Sequence, residues 1–184
     1  MRRPSLAVLV GVALVACQRG EPRPEKPPSA SETAPTLVAI GARAPSLKVK
    51  AHTGQEFELA KLGKPAVVYF YPKDDTTGCT IEAKEIRDLY DEIKSAGAIV
   101  IGVSTDGQAS HQAFAQKYEL PFFLVADEDH SVAKAFGVAI KNGKAARVSF
   151  VLDANGRVTN VFPKVTPQGH GAELLAALGE GAAP

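Results

Sequence analysis

The sequence predicts an α/β fold in which helices cover a mixed β-sheet. Three patterns support this prediction: continuous apolar runs typical of strands buried on both faces, amphipathic stretches with helical spacing between them, and two closing runs joined by a tight turn. The composition agrees, because 45% hydrophobic and 22% charged residues are normal for a chain of 184 residues with one packed core. A wholly disordered chain is therefore excluded.

The first half of the predicted domain alternates strand and helix. Residues 48–51 and 56–59 flank a glycine turn and predict a β-hairpin. Residues 66–71 form an unbroken apolar, β-branched and aromatic run, which predicts a strand buried on both faces. A helix is expected over 80–96, where apolar residues recur at spacings of three and four and a glycine follows. Residues 98–103 predict the next buried strand.

The second half ends on an antiparallel pair. Two further runs flank the sequence Asp-Ala-Asn-Gly, a strong hairpin-turn signal. The expected elements are a helix over 109–118, a strand over 121–125, a helix over 131–136, strands over 147–152 and 157–162, and a helix over 171–178. This order of strands and helices fits a thioredoxin-like sandwich, with a central mixed β-sheet flanked by helices.

The first 16 residues have the features of an export signal. Arg2 and Arg3 precede an apolar run over 6–16, which is shorter than the roughly 20 residues that span a bilayer. The run ends in Leu-Val-Ala-Cys17, which resembles the lipobox of bacterial lipoproteins. That resemblance implies that Cys17 is acylated and becomes the mature N-terminus. An ordinary signal peptide with a chance cysteine is the alternative.

The segment 17–36 is predicted to be a tether between Cys17 and the domain, residues 37–184. Five of the 13 prolines lie in it, with almost no apolar residues, so it cannot bury enough surface to offset its ordering entropy. We expect an exported protein anchored to a membrane by lipid. Gln18 after the cysteine resembles lipoproteins sorted to the outer membrane of Gram-negative cells, which implies its periplasmic face.

Charge and cysteine count exclude several classes of protein. The net charge of +1 gives no basic excess for nucleic acid, so no nucleic-acid partner is expected. Two cysteines, Cys17 and Cys79, are too few for a disulfide-stapled small fold, a zinc finger or an iron–sulfur cluster. No metal or cofactor is expected, and the four histidines are interpreted as ordinary surface or core residues.

The chemistry is expected at Cys79, which lies in the segment between the end of a buried strand and the start of a helix. Unpaired backbone N–H groups and the helix dipole stabilise negative charge at such a position, and the thiolate is the reactive form of cysteine. A buried, inert thiol is the alternative. The polar neighbours of Cys79 and the predicted export favour the reactive interpretation.

The residues around Cys79 resemble a known family. Pro72, Thr76 and Cys79 match the peroxiredoxin pattern Pro-x-x-x-Thr-x-x-Cys, and the wider string YFYPKDDTTGCTIE resembles the Q-type peroxiredoxins, also called bacterioferritin-comigratory proteins. Arg147, ahead of Ser-Phe-Val-Leu-Asp, stands where that family has its active-site arginine. The resemblance covers about residues 38–178, nearly the whole domain.

The resemblance implies a thiol-dependent peroxidase that reduces hydrogen peroxide and organic hydroperoxides. Cys79 would attack the peroxide as a thiolate and become a sulfenic acid. Thr76, Arg147 and the backbone N–H of Cys79 would donate hydrogen bonds to the developing charge, and Pro72 would wall the pocket. Glu82 matches a family position with a structural role. Relatives of this type are often monomers, so a monomer is expected.

One position departs from the family pattern. Many Q-type members carry a resolving cysteine five residues after the reactive one, where this chain has Lys84. If Cys17 is acylated, no second thiol is available to form an intrachain disulfide. The sequence therefore predicts a 1-Cys cycle in which an external small thiol or a thioredoxin-like protein reduces the sulfenic acid.

Three other interpretations belong to different classes. A disulfide reductase or isomerase normally needs Cys-x-x-Cys, which is absent. A copper-chaperone-type thioredoxin fold would need a Cys-x-x-x-Cys pair, but residue 83 is alanine. A non-catalytic lipoprotein that merely retains the fold stays open, although the intact set of Pro72, Thr76, Cys79 and Arg147 argues against it.

Overall fold

The computed structural model describes residues 36–180. The predicted signal peptide, Cys17 and the predicted tether up to residue 35 lie outside the described residues. Between residues 36 and 180, every helix is too short or too polar to span a lipid bilayer.

The described chain forms nine strands and five α-helices. The strands are β1 (Lys48–Lys50), β2 (Glu56–Glu58), β3 (Ala66–Phe70), β4 (Ile99–Ser104), β5 (Phe123–Ala126), β6 (Ile140–Lys141), β7 (Lys144–Ala145), β8 (Val148–Leu152) and β9 (Val158–Phe162). The helices are α1 (Thr77–Asp88), α2 (Tyr90–Ser95), α3 (Gln108–Tyr118), α4 (Ser131–Phe136) and α5 (His170–Glu180).

A five-stranded sheet in the order β5-β4-β3-β8-β9 forms the centre of the domain. Strand β3 is parallel to β4, and β4 is parallel to β5, whereas β8 is antiparallel to both β3 and β9. The parallel pairs are connected through helices and the antiparallel pair β8–β9 through the predicted tight turn. The predicted thioredoxin-like sandwich with a mixed sheet is therefore confirmed.

The sheet separates two hydrophobic layers, because successive residues of a strand point to opposite faces. On one face, Val67, Tyr69 and Tyr71 pack with buried residues of α1, α2, α3 and α5. On the other face, Val68 and Phe70 pack with α4 and the β1–β2 hairpin. All five residues of β3 are buried, as its continuous apolar sequence predicts.

The predicted helix over 80–96 is wrong in two respects. It begins three residues earlier, at Thr77, and it is divided into α1 and α2 at Leu89, whose backbone (φ −103°, ψ 9°) leaves the helical range. No glycine or proline marks this break in the sequence. Instead, Gly171 of α5 lies against the backbone of Glu85 and the side chain of Leu89, so a contact with a distant helix coincides with it.

The remaining predicted elements are present with ends shifted by a few residues, and one hairpin was not predicted. Strands β6 and β7 flank Asn142 and Gly143, which both have positive φ, as an Asn-Gly turn requires. The turn signal was visible in the sequence. Strands of two residues are too short to show an alternating pattern.

Gly156 lies in the turn between β8 and β9, where the chain packs closely against the backbone of Ala60. Its φ is +74°, and an added Cβ would lie 2.4 Å from the carbonyl oxygen of Ala60. Gly97 has a similar φ of +76° but open space around it. We expect Gly156→Ala to lower the free energy of unfolding by about 1 to 3 kcal/mol more than Gly97→Ala, as overpacking does. Urea denaturation measures both, and equal losses would contradict the contact.

Candidate active site

Cys79 is the third residue of α1, directly after the loop that leaves β3. Thr76 is the N-cap residue in extended conformation, and its carbonyl accepts the first helical hydrogen bond, from the Thr80 N–H at 2.8 Å. The amides before Thr80 have no helical acceptor, so they leave a positive potential at the sulfur. Cys79 is buried, with 2% of its surface exposed, and it is a free thiol.

Arg147 makes the decisive contact with the sulfur. It stands immediately before β8, the antiparallel neighbour of β3, and its Nη2 donates to the Sγ of Cys79 at 3.3 Å. Its Nη1 donates to a carboxylate oxygen of Glu82. Only 15% of the Arg147 side chain is exposed. One guanidinium therefore joins the sulfur of Cys79 to the buried carboxylate of Glu82.

Glu82 lies one turn after Cys79 on the same face of α1, and its side chain is fully buried. Its Oε2 accepts from Arg147, whereas its Oε1 has no hydrogen-bond partner among residues 36–180. Burial disfavours the carboxylate and raises the pKa of Glu82 to about 7, although Arg147 acts in the opposite direction. The Glu82 carboxyl group that faces Arg147 therefore loses its proton and becomes negatively charged near neutral pH.

Thr76 and Pro72 both lie in the loop before α1, and both are half-buried. The Thr76 hydroxyl donates to the carbonyl oxygen of Lys73 at 3.2 Å. No hydrogen bond joins Thr76 to Cys79 in the described part of the chain. To donate to a thiolate or a peroxide, the Thr76 hydroxyl must rotate away from Lys73. The structure therefore brings Arg147 to the sulfur and leaves Thr76 beside it in a different hydrogen bond.

Two neighbours of the site were not found in the sequence. A Cβ on Gly78 would lie 3.4 Å from both the Arg147 guanidinium and the side chain of Pro167, so Gly78 lies directly beside these two groups. Tyr69, on β3, has a buried hydroxyl without a partner among the described residues, and burial, with a smaller effect of Glu82, raises the pKa of this hydroxyl well above its usual value. Gly78 directly precedes Cys79, but only the fold brings Arg147 and Pro167 against it, and only the fold buries the Tyr69 hydroxyl near the site.

Lys84, at the position where many Q-type relatives have a resolving cysteine, is exposed on α1. Its Nζ lies 5.0 Å from the centre of the Tyr118 ring on α3, which is a cation–π contact. Cys79 is the one cysteine in the part of the chain that the structure describes.

A thioredoxin-like domain with a free cysteine in the first turn of α1, contacted by an arginine from the neighbouring strand, defines a thiol-based redox enzyme. Residues 40–161 match the family model of the AhpC/TSA family. The chain belongs to this family, and within it to the Q/Bcp peroxiredoxins, which are thiol-dependent peroxidases.

Relatives and solved structures agree with this assignment. The putative peroxiredoxin bcp of Coxiella burnetii is 38% identical over 77% of this chain and 99% of its own, and peroxiredoxin Bcp of Bacillus subtilis is 41% identical over 77% and 95%. The structure of Xanthomonas campestris peroxiredoxin Q matches with a TM-score of 0.70, at 36% identity over 82% of this chain and 100% of that one. Peroxidoxin BcpB of Mycobacterium tuberculosis matches with a TM-score of 0.72, at 29% identity over 78% and 98%. The predicted peroxiredoxin class is confirmed.

The raised pKa of Glu82 predicts a pH-dependent stability. An unfolded glutamate has a pKa near 4.5, so between about pH 4.5 and 7 the folded protein binds this proton more firmly than the unfolded chain does. The free energy of unfolding should therefore fall as the pH rises through this range, and the contribution of Glu82 should be lost above pH 7. Relative to Glu82→Gln, the fall should reach about 2 to 3 kcal/mol.

Urea denaturation of both proteins at several pH values between 4.5 and 8 measures this difference. Glu82→Gln is the matched control, because the amide keeps an oxygen that accepts from Arg147 but cannot titrate. Parallel pH curves for the two proteins would contradict the raised pKa.

Proposed function

We propose that this protein is a 1-Cys lipoprotein peroxiredoxin in which Cys79 reduces hydrogen peroxide and organic hydroperoxides. The observation that carries the proposal is the hydrogen bond from Arg147 Nη2 to Cys79 Sγ, 3.3 Å long, with the same guanidinium fixed by buried Glu82. A donor held in this way stabilises charge on the sulfur and needs little rearrangement during the reaction.

The reaction needs a nucleophile and donors, and the site supplies both. The Cys79 thiolate attacks one peroxide oxygen, the S–O bond forms as the O–O bond breaks, and the departing oxygen takes up a proton. The products are a sulfenic acid on Cys79 and water or an alcohol. Arg147, the rotated Thr76 hydroxyl and the free N–H groups of the first turn of α1 would stabilise the charge that moves onto the oxygens, and Pro72 would shield the sulfur from water.

A relative supports the organic part of the substrate range. The bacterioferritin comigratory protein of Xanthomonas campestris, 35% identical over 80% of this chain, has alkyl peroxide reduction activity. We extend that activity to this chain. Placement beside a lipid surface would bring organic hydroperoxides close to Cys79.

The 1-Cys cycle is supported by the lysine at position 84 and by the side chain that contacts Cys79. The residue five positions after Cys79 is a lysine, the sulfur contacts arginine, and residues 36–180 contain no second cysteine. The sulfenic acid would therefore be returned by two external thiol equivalents, from a small thiol or a thioredoxin-like protein, with release of water and a disulfide of the reductant. Cys17 would not take part, because its sulfur would carry lipid.

Location and assembly follow from the N-terminal sequence and the family. Signal peptide 1–16, acylated Cys17 and the proline-rich tether would hold a monomeric domain at a bacterial membrane, at the periplasmic face of the outer membrane. The support for this part of the proposal is the lipobox-like Leu-Val-Ala-Cys17 and the composition of residues 17–36.

The rate of Cys79 oxidation tests the peroxidase mechanism. Rapid mixing with hydrogen peroxide, followed by alkylation of the remaining thiol and mass spectrometry, gives this rate without relying on tryptophan, which the chain lacks. We expect Cys79→Ser to abolish peroxidase turnover, and Thr76→Val and Arg147→Ala each to slow oxidation by about 100- to 1,000-fold.

Two variants sharpen this experiment. Arg147→Lys keeps the positive charge but lacks the second arm that bonds Glu82, so it should remain slow. Arg157→Ala is the control, because Arg157 is exposed and bonds the Gly41 carbonyl oxygen instead. Native oxidation no faster than that of a free cysteine, or a fully active Cys79→Ser protein, would refute the proposal.

The chemical modification of Cys17 and Cys79 tests two parts of the proposal together, the 1-Cys cycle and the lipid anchor. Mature protein extracted from bacterial membranes and treated with one equivalent of peroxide should show an acylated Cys17 and a Cys79 sulfenic acid that an added thiol traps as a mixed disulfide. The matched control is Cys17→Ser, which should remain soluble and still oxidise Cys79. An intrachain bridge between Cys17 and Cys79 in the mature protein would refute both parts.

A further inference from the structure

A buried carboxylate fastens the loop before Cys79 to helix α3. Asp74 is 5% exposed, and its two oxygens accept hydrogen bonds from three side chains. Oδ1 accepts from the Tyr71 hydroxyl at 2.7 Å, and Oδ2 accepts from the Ser110 hydroxyl at 2.7 Å and from His111 Nδ1 at 2.9 Å. Ser110 and His111 belong to α3, so the loop and the helix share one buried charge.

Asp74 is held as an anion by these donors. Burial by itself would raise its pKa, but the hydrogen bonds from His111, Tyr71 and Ser110 lower the pKa below its usual value. Because an ionised carboxylate only accepts hydrogen bonds, the proton between Asp74 and His111 lies on Nδ1. The His111 ring is fully buried, and its Nε2 has no partner in the described structure. Only the Nδ1 edge of this histidine is in use.

The loop has two further attachments, one through its backbone and one through a side chain. The N–H of Asp74 donates to Asp106 Oδ2 at 2.9 Å, just after β4. The next residue, Asp75, has the left-handed φ of +54°, which is unfavourable outside glycine, and its carboxylate accepts from Lys117 and Tyr118 near the end of α3. Side chains from both ends of α3 therefore determine the path of the chain into Thr76 and α1.

We infer that Asp74 and His111 form a buried clamp that positions Thr76 for reaction with peroxide at Cys79. This inference rests on the proposed peroxidase function and adds two positioning residues to it. Thr76 follows Asp74 by two residues, and its hydroxyl bonds the Lys73 carbonyl, on the other side of Asp74. A loop released from α3 would therefore move the Thr76 hydroxyl, and a displacement of about 1 Å in an active site can reduce the rate about 100-fold.

The test compares two replacements of His111. His111→Leu removes the donor to Asp74, whereas His111→Asn places an amide N–H near the position of Nδ1 and loses only the unused Nε2 edge. We expect Cys79 oxidation by hydrogen peroxide to slow by about 10- to 100-fold in His111→Leu and to stay within about threefold of the native rate in His111→Asn. Ser110 is half-buried, and Ser110→Ala removes only one of the three donors to Asp74. This variant should slow Cys79 oxidation by about three- to tenfold, and it replaces His111→Leu if that protein does not fold.

Two controls separate positioning from general destabilisation. Val132→Ala creates a small cavity in α4 on the opposite face of the sheet and should leave the oxidation rate unchanged. In a Thr76→Val background, His111→Leu should cause almost no further loss, because the group that it positions is already absent.

The outcomes are distinct. Rescue by His111→Asn together with non-additivity with Thr76→Val supports the clamp. Native-like oxidation in His111→Leu and Ser110→Ala overturns it, and so do equal losses in His111→Leu and His111→Asn or losses that multiply with Thr76→Val. Slow oxidation of the native protein itself, at the rate of a free cysteine, would instead overturn the proposed function and the clamp with it.

Discussion

The antiparallel pairing of β3 with β8 is the constraint on which the rest of the site depends. It sets Phe70 opposite Val148 and thereby places Arg147 beside the segment that leads from β3 into α1, although Arg147 lies 68 positions after Cys79 in the sequence. Both strands are buried on both faces, so their packing fixes this register. A shift of one residue would turn Arg147 to the other face of the sheet and leave Glu82 buried without its cation.

The site contains several buried charged groups, which contribute little to the stability of the fold. Glu82, Arg147 and Asp74 are all largely removed from water, and each such group is costly unless it is paired. Breaking a buried pair typically costs about 3 to 5 kcal/mol, whereas apolar residues in the same space often pack as well. The charges are therefore best understood through chemistry: Glu82 holds the Arg147 cation against the sulfur in a region of low polarity, where the interaction is stronger than in water, and Asp74 fixes the loop before α1.

The two halves of the site are supported from different sides. Arg147 and Glu82 act on the sulfur from β8 and from the next turn of α1, whereas the loop through Asp74 and Thr76 is shaped by α3 and the end of β4. Separate supports allow the cation and the hydroxyl to be fixed independently. A peroxide bound between them would meet both donors, while the surrounding core excludes water from the sulfur.

The sequence by itself determined the order of strands and helices, the mixed sheet and the peroxiredoxin class, and it predicted that Cys79 is the reactive residue. It did so because apolar periodicity, turn residues and the Pro-x-x-x-Thr-x-x-Cys pattern are local properties of the chain. The tertiary structure alone decided the break at Leu89, the bond from Arg147 to the sulfur, the unpartnered Glu82 oxygen and the attachment of Asp74 to His111. Each of these features depends on a contact between distant segments of the chain or on burial. A local sequence pattern predicts neither property, because only packing in three dimensions brings such groups together and removes them from water.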